Sequence, residues 1–227
     1  EEQIASLVMR LLKLGCLDSR VMAATFNMLR ANDLVWTFVV NNYLLGSDPF
    51  PFDLIYWNAD ATRLPARMHS FYQRKMYIEN ALRKPGGIEI CGTKIDLGKV
   101  KQPCYLIATL EDHISPWKSC YQGARCLGGP VRFVLGGSGH VTGIINPPAA
   151  GKYGFWTSQD PQHLDAPEDW LDKATQQTGS WWSDWQAWIV TLDQTEAPAR
   201  DPAQGRLPVL DDAPGAYVKM RLGKGVR

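Results

Sequence analysis

Residues 103–140 read PCYLIATLEDHISPWKSCYQGARCLGGPVRFVLGGSGH. Pro103 to Thr109 is a short, mostly apolar run of strand length, Pro116 to Cys126 has helical spacing, and Val131 to Leu135 is a second strand-like run. Strand, helix and strand within about thirty residues make a βαβ unit, and such units belong to parallel sheets with right-handed crossovers. The chain is therefore expected to fold as an α/β domain.

In open α/β sheets, reactive side chains gather in loops just beyond the C-terminal ends of strands. Glu111-Asp112-His113 follows the first strand and Gly139-His140 the second. An acid after one strand and a histidine after the next match the last two members of an α/β-hydrolase triad, whose order is nucleophile, acid, histidine. The chemistry asks for this pair. A hydroxyl or thiol gives its proton to an imidazole, and a carboxylate holds that imidazole in one tautomer. Asp112 and His140 are the candidates, and the glycines before His140 are expected to let the backbone turn sharply and bring the ring to its partners. Asp and His at strand ends also serve as caps and turn residues, so spacing alone leaves both readings open.

A nucleophile elbow, Gly-x-Ser-x-Gly or its cysteine counterpart at a strand-to-helix turn, is absent from the sequence. Gly136-Gly137-Ser138-Gly139-His140 lacks the final glycine and occupies the histidine's own loop. In Gly123-Ala124-Arg125-Cys126-Leu127-Gly128 the cysteine comes one residue too late and at a helix end. The five cysteines (Cys16, Cys91, Cys104, Cys120 and Cys126) are odd in number and form no C-x-x-C pair. They read as reduced, structural thiols rather than a disulfide framework or a zinc site, and no metal ligand set is expected. Triad order places the nucleophile upstream of the acid, hence before Glu1. The Glu-Glu start, running straight into an amphipathic pattern, reads as a cut or gap in a longer protein whose N-terminal half is missing.

Upstream, apolar residues recur at helical spacing over Ile4 to Leu14, with Gly15 as a stop, then over Ser19 to Leu29 and Asp33 to Leu45. Phe50 to Leu64 has no clean period and reads as irregular. A helix is expected over Ala66 to Asn80, a boundary at Pro85-Gly86-Gly87, and a hairpin from Ile88 to Leu97 turning at Gly92. Downstream, Trp181, Trp185 and Trp188 share one helical face, read as core packing, and the tail after Ala197 reads as loosely ordered. The expected division is a helical, aromatic-rich cap over residues 1–84, an α/β core over 85–195 and an extended tail over 196–227.

The 24 basic and 23 acidic residues nearly cancel, leaving a net charge of +1 that gives no reason to expect nucleic acid as a partner. The most apolar run, Leu34 to Leu45, is broken by Thr37, Asn41 and Asn42 and falls short of the roughly 20 apolar residues a membrane span needs.

Several separate blocks carry a family likeness. They are Leu29-Arg30-Ala31-Asn32-Asp33-Leu34-Val35-Trp36, Val40-Asn41-Asn42-Tyr43-Leu44, Phe52-Asp53-Leu54-Ile55-Tyr56-Trp57-Asn58, Glu111-Asp112-His113-Ile114-Ser115-Pro116-Trp117, Phe133 to His140, Ile145-Asn146-Pro147-Pro148 and Gly179-Ser180-Trp181-Trp182. In this order the chain resembles the class I polyhydroxyalkanoate synthases, along nearly its whole length. The resemblance implies the C-terminal half of an α/β-hydrolase fold, with a mostly parallel sheet and a helical lid. It also implies polymerisation of (R)-3-hydroxyacyl-CoA with release of CoA and growth of a polyester on an active-site cysteine.

By the same resemblance His140 is the general base, and Asp112 either orients it or activates the 3-hydroxyl that attacks the acyl-enzyme. Arg30 and His113 become candidates for substrate contact, Arg30 by receiving CoA phosphates in its guanidinium fork. Each has a plainer reading, as a tie within the lid and as a loop residue that caps or packs. No cofactor is implied, since coenzyme A is part of the substrate and a product. The implied setting is cytoplasmic, with a homodimer at the surface of polyester granules. The remaining alternatives are a fragment of an esterase-like hydrolase and a non-catalytic C-terminal piece.

Overall fold

The computed structural model describes residues 15–17, 28, 31–49, 63–158, 166–212 and 215–216. The chain divides into two compact units, residues 75–197 and residues 1–74 together with 198–227.

In the latter unit a two-residue strand, β1 (Cys16–Leu17), pairs antiparallel with β2 (Leu64–Pro65), and α1 (Ala66–Tyr72) follows at once. Leu17 and Ala66 are buried together, with Leu64 against them. The helix expected over Ala66 to Asn80 continues from α1 as π-helical turns over Gln73–Ile78 and stops before Asn80, which takes a left-handed φ of 44°.

The helix expected over Asp33 to Leu45 is present as two π-helical segments, Asn32–Trp36 and Val39–Leu44. At Thr37 both the backbone N–H and the hydroxyl donate to the carbonyl of Asn32, five residues back, which draws the turn open. Trp36, Phe38, Tyr43, Leu44 and Leu45 are exposed along it. Arg30, the helices expected over Ile4 to Leu14 and (Met28 apart) Ser19 to Leu29, and the irregular stretch as far as residue 62 lie outside the described residues.

The unit of residues 75–197 opens with the expected hairpin, β3 (Glu89–Ile90) against β4 (Thr93–Lys94). Its turn residues Cys91 and Gly92 have φ of 49° and 78°, the paired positive values of a tight hairpin turn. Beyond it, β5 (Cys104–Thr109), α2 (Trp117–Ala124) and β6 (Val131–Gly136) realise the βαβ reading, with β5 and β6 parallel from Cys104↔Val131 to Thr109↔Gly136.

After α3 (Thr142–Ile145) comes β7 (Phe155–Thr157), then α4 (Pro167–Lys173), β8 (Thr175–Gln177) and α5 (Trp182–Leu192). The sheet order is β5-β6-β7-β8, and β7 and β8 both join antiparallel. The expectation of a mostly parallel sheet therefore holds only for the β5–β6 pair among the described residues. Strands of three residues, such as Thr175-Gln176-Gln177, are too short to show a period in sequence.

Alternation along β5 and β6 sorts their side chains onto two covered faces, as the period of two in a strand requires. Val131, Phe133, Leu135 and Ala108 pack with Trp117, Tyr121 and Ala124 of α2 and Trp170 of α4. Phe133 meets Tyr121 and Trp170 edge-on, with ring centroids 5.1 and 4.9 Å away. On the other face Val134, Phe155, Tyr105 and Ile107 pack with Ile144 of α3 and with Trp181, Trp182 and Trp185. There Arg132 forms a two-pronged ion pair with Asp184, and the Tyr105 hydroxyl donates to the same carboxylate at 2.9 Å. These contacts fasten α5 to both parallel strands. Burial, followed by the Asp184 charge, drives the Tyr105 pKa far above its ordinary value, so the phenol stays a donor. Helices thus cover both faces of the sheet and leave the ends of β5 and β6 to present their loops.

Candidate active site

The two loops at the ends of β5 and β6 are laced together by backbone. Leu110 N–H donates to the Gly136 carbonyl at 2.9 Å and Glu111 N–H to the Ser138 carbonyl at 3.1 Å. Asp112, next in line, turns its carboxylate back on its own loop. Oδ1 accepts from the N–H groups of Ile114 and Ser115, each at 2.8 Å, the turn that an Asp side chain makes two and three residues ahead of itself. Pro116 ends this turn and α2 begins behind it. Oδ2 is left pointing across to the other loop, where it meets His140 Nδ1 at 2.8 Å.

His140 is carried by a segment with its own constraints. Glycines 136, 137 and 139 were expected to supply a sharp turn, but none of them has positive φ. That conformation falls to Ser138, at 71°, whose hydroxyl is 2.8 Å from that of Thr142. Gly137 provides clearance instead, for a Cβ there would lie 3.1 Å from the carbonyl oxygen of Gly154. Gly143, one turn beyond His140, is tighter still. A Cβ there would sit 2.5 Å from the Gly137 carbonyl oxygen and 2.5 Å from Thr109 Cγ2. Gly143→Ala is therefore expected to lower stability by about 1–3 kcal/mol, the usual cost of overpacking, and a thermal or denaturant midpoint equal to that of the parent would contradict it.

Electrostatics favour an ionised Asp112. Its side chain is only 7% exposed, and that desolvation, the largest influence, disfavours charge. The Ser115 N–H, the His140 ring and the Ile114 N–H together outweigh it and hold the carboxyl below the ordinary carboxylate range. Folding thus lowers this pKa. The carboxylate stabilises the folded chain above the ordinary range, and that contribution is lost as pH falls through and below it. With Nδ1 bonded to Asp112, the His140 ring is in the orientation that leaves Nε2 free. Its side chain is 43% exposed, and among the described residues Nε2 makes no hydrogen bond. A largely buried carboxylate fixing an imidazole whose second nitrogen is open is an arrangement that can take a proton from a nucleophile.

His113 is exposed beside Asp112, the structure brings Asp112 and His140 together, and Arg30 lies outside the described residues. Of the cysteines, Cys104 opens β5, Cys120 is inside α2, Cys91 is in the hairpin turn, Cys126 follows α2 and Cys16 is in β1. The Cys120 thiol points at the Ser115 carbonyl, 3.7 Å away, and burial followed by the Asp112 charge pushes its pKa up, the wrong direction for a nucleophile. Among the described residues no cluster of His, Cys, Asp or Glu could hold a metal ion, and no helix is long and apolar enough to cross a membrane.

Sequence reading missed one group at this site. Ser180, Trp181 and Trp182 reach from the start of α5 to the backbone of α3, just behind His140. Trp181 had been read as core packing alone, and its helical spacing says nothing of where the indole N–H goes. The one available signal was chemical: a buried Trp usually finds an acceptor for that group.

No protein-family profile matches the chain. Individual relatives do. It is 49% identical over 221 residues to a poly(3-hydroxyalkanoate) polymerase subunit PhaC of Rhizobium meliloti, a match that covers 97% of the chain and 36% of that protein. The chain is related to the poly(3-hydroxyalkanoate) polymerases. A polymerase subunit from Cupriavidus necator is 44% identical over 203 residues (88% of the chain, 34% of the relative), and poly(3-hydroxyalkanoate) polymerase 2 of Ectopseudomonas oleovorans is 42% identical over 222 residues (97% and 39%). The chain spans about a third of the length of these polymerase relatives. The likeness runs through both the exposed helical segment over residues 32–44 and the loops that carry Asp112 and His140.

Proposed function

We propose that this chain supplies the acid and the base of a polyhydroxyalkanoate polymerase. The enzyme joins (R)-3-hydroxyacyl units from CoA thioesters into a polyester and releases CoA, on an α/β-hydrolase framework with the helical region as its lid. The observation that carries the reading is the 2.8 Å bond from Asp112 Oδ2 to His140 Nδ1 at the ends of two parallel strands, in a chain closely similar to named polymerases.

In this reading His140 Nε2 takes the proton of a cysteine thiol that lies in the part of the polymerase this chain does not span. The thiolate attacks the thioester carbonyl, CoA leaves as a thiol after taking up a proton, and the acyl group stays on the enzyme. The 3-hydroxyl of another unit then attacks the carbonyl of the acyl-enzyme and gives up its proton to a base, so that an ester C–O bond forms as the C–S bond breaks and the cysteine leaves as thiolate. Both oxygens of Asp112 are already engaged, one by two backbone N–H groups and one by His140, which favours orienting the imidazole over activating the hydroxyl. In the same reading His113 and Arg30 would contact the acyl-CoA substrate. Trp36, Phe38, Tyr43, Leu44 and Leu45, exposed on one segment, are what a homodimer or a polyester granule surface in the cytoplasm would cover.

The test is CoA release from (R)-3-hydroxybutyryl-CoA by the whole polymerase and by residues 1–227 alone. Turnover by the whole protein and none by the chain is expected. Equal turnover by the chain alone would place the nucleophile within it and overturn this reading, and an elbow serine instead of cysteine in the whole protein would favour an esterase.

A further inference from the structure

We propose that Trp181 and Trp182, with Ser180, are positioning residues that set the His140 ring against Asp112. This rests on the reading of His140 as the base. The helix α3 starts two residues after His140 and is only four residues long, too short to sustain itself, and its closing carbonyls have no partners within it. They find them across the fold. The Trp181 indole N–H lies 3.1 Å from the carbonyls of both Gly143 and Ile144. The Trp182 indole N–H lies 3.2 and 3.0 Å from those of Ile144 and Ile145. The Ser180 hydroxyl donates to the Asn146 carbonyl at 2.6 Å.

Three consecutive side chains thus satisfy four consecutive carbonyls. The two indoles are stacked, 4.3 Å apart and 23° from parallel, which aligns their N–H groups along the short helix. Ser180, Trp181 and Asn146 are each about 95% buried or more, so water does not stand in for the donor lost from Ser180 or Trp181, whereas the Trp182 bond to Ile145 is exposed. At its other end α3 is tied to the histidine's own loop, by Gly143 N–H to the Gly139 carbonyl at 2.9 Å and by the Ser138–Thr142 hydroxyl pair. His140 lies inside that tie. A shift of α3 is therefore a shift of the imidazole, and displacement of a catalytic group by about 1 Å costs on the order of a hundredfold in rate.

The test uses the whole polymerase with Trp181→Phe and Trp182→Phe combined, which removes both N–H donors but keeps the stacked rings. The single Trp182→Phe and Ser180→Ala serve if the double variant does not fold. Three quantities are read: the downfield proton resonance of the His140 Nδ1–H bonded to Asp112, assigned by its loss in His140→Ala, and the kcat and KM for CoA release. Expected are loss or exchange broadening of that resonance and a fall of about ten- to a hundredfold in kcat, with KM within twofold. Trp188→Phe, a ring on the same helix with no indole bond to α3, should change neither. An unchanged resonance and kcat in the folded Trp variants would overturn the proposal. A lost resonance with kcat intact would uphold the positioning and instead remove His140 from the chemistry.

Discussion

His140→Ala in the whole polymerase is expected to slow CoA release by at least about ten-thousandfold while leaving the fold intact. The size follows from the role. Without an imidazole, the thiol must lose its proton to water, and in a serine protease removal of a triad member costs four to six orders of magnitude. The fold should survive because the ring is 43% exposed and its single bond within the described structure is the one to Asp112. Circular dichroism and the melting temperature would check that point alongside the rate. A folded variant that turns over within tenfold of the parent would exclude His140 as the base.

Asp112→Asn is the second large effect, expected at about a thousand- to ten-thousandfold in kcat. The amide keeps the shape, and its oxygen can still accept from Ile114 and Ser115. The amide nitrogen would then face His140 Nδ1 and donate to it, which selects the tautomer with its proton on Nε2, where a base must have none. KM should change little, because Asp112 is 7% exposed and spends its hydrogen bonds on its own loop and on His140. A variant losing KM rather than kcat would mean that Asp112 binds substrate directly.

The part of the fold that carries these residues was legible because its signals are strong and local. Pro103 to Leu135 alternates between apolar runs of strand length and a run of helical spacing, and the parallel β5–β6 pair with α2 between is the result. The Asp–His pair followed from chain order and from where loops lie in such sheets, and the structure supplies the contact between them. The antiparallel strands β7 and β8 were not legible, because three residues show no period and their pairing depends on neighbours far away in sequence. The service of Ser180, Trp181 and Trp182 to α3 was equally hidden. It spans 34 to 38 residues and depends on where an indole nitrogen points, which periodicity does not encode. The glycines before His140 were recognised for the wrong reason. Among them Gly137 stands where a Cβ would crowd the Gly154 carbonyl, and the left-handed residue is Ser138.

The most direct measurement is peptide mass spectrometry of the whole polymerase, quenched with acid during a single turnover of (R)-3-hydroxybutyryl-CoA. The acyl group is expected as a thioester on a cysteine outside residues 1–227, formed in the parent and absent over the same interval in His140→Ala. An acyl group on Cys16, Cys91, Cys104, Cys120 or Cys126, or its formation at the parent rate without His140, would contradict an Asp112–His140 pair that activates a thiol from the rest of the enzyme.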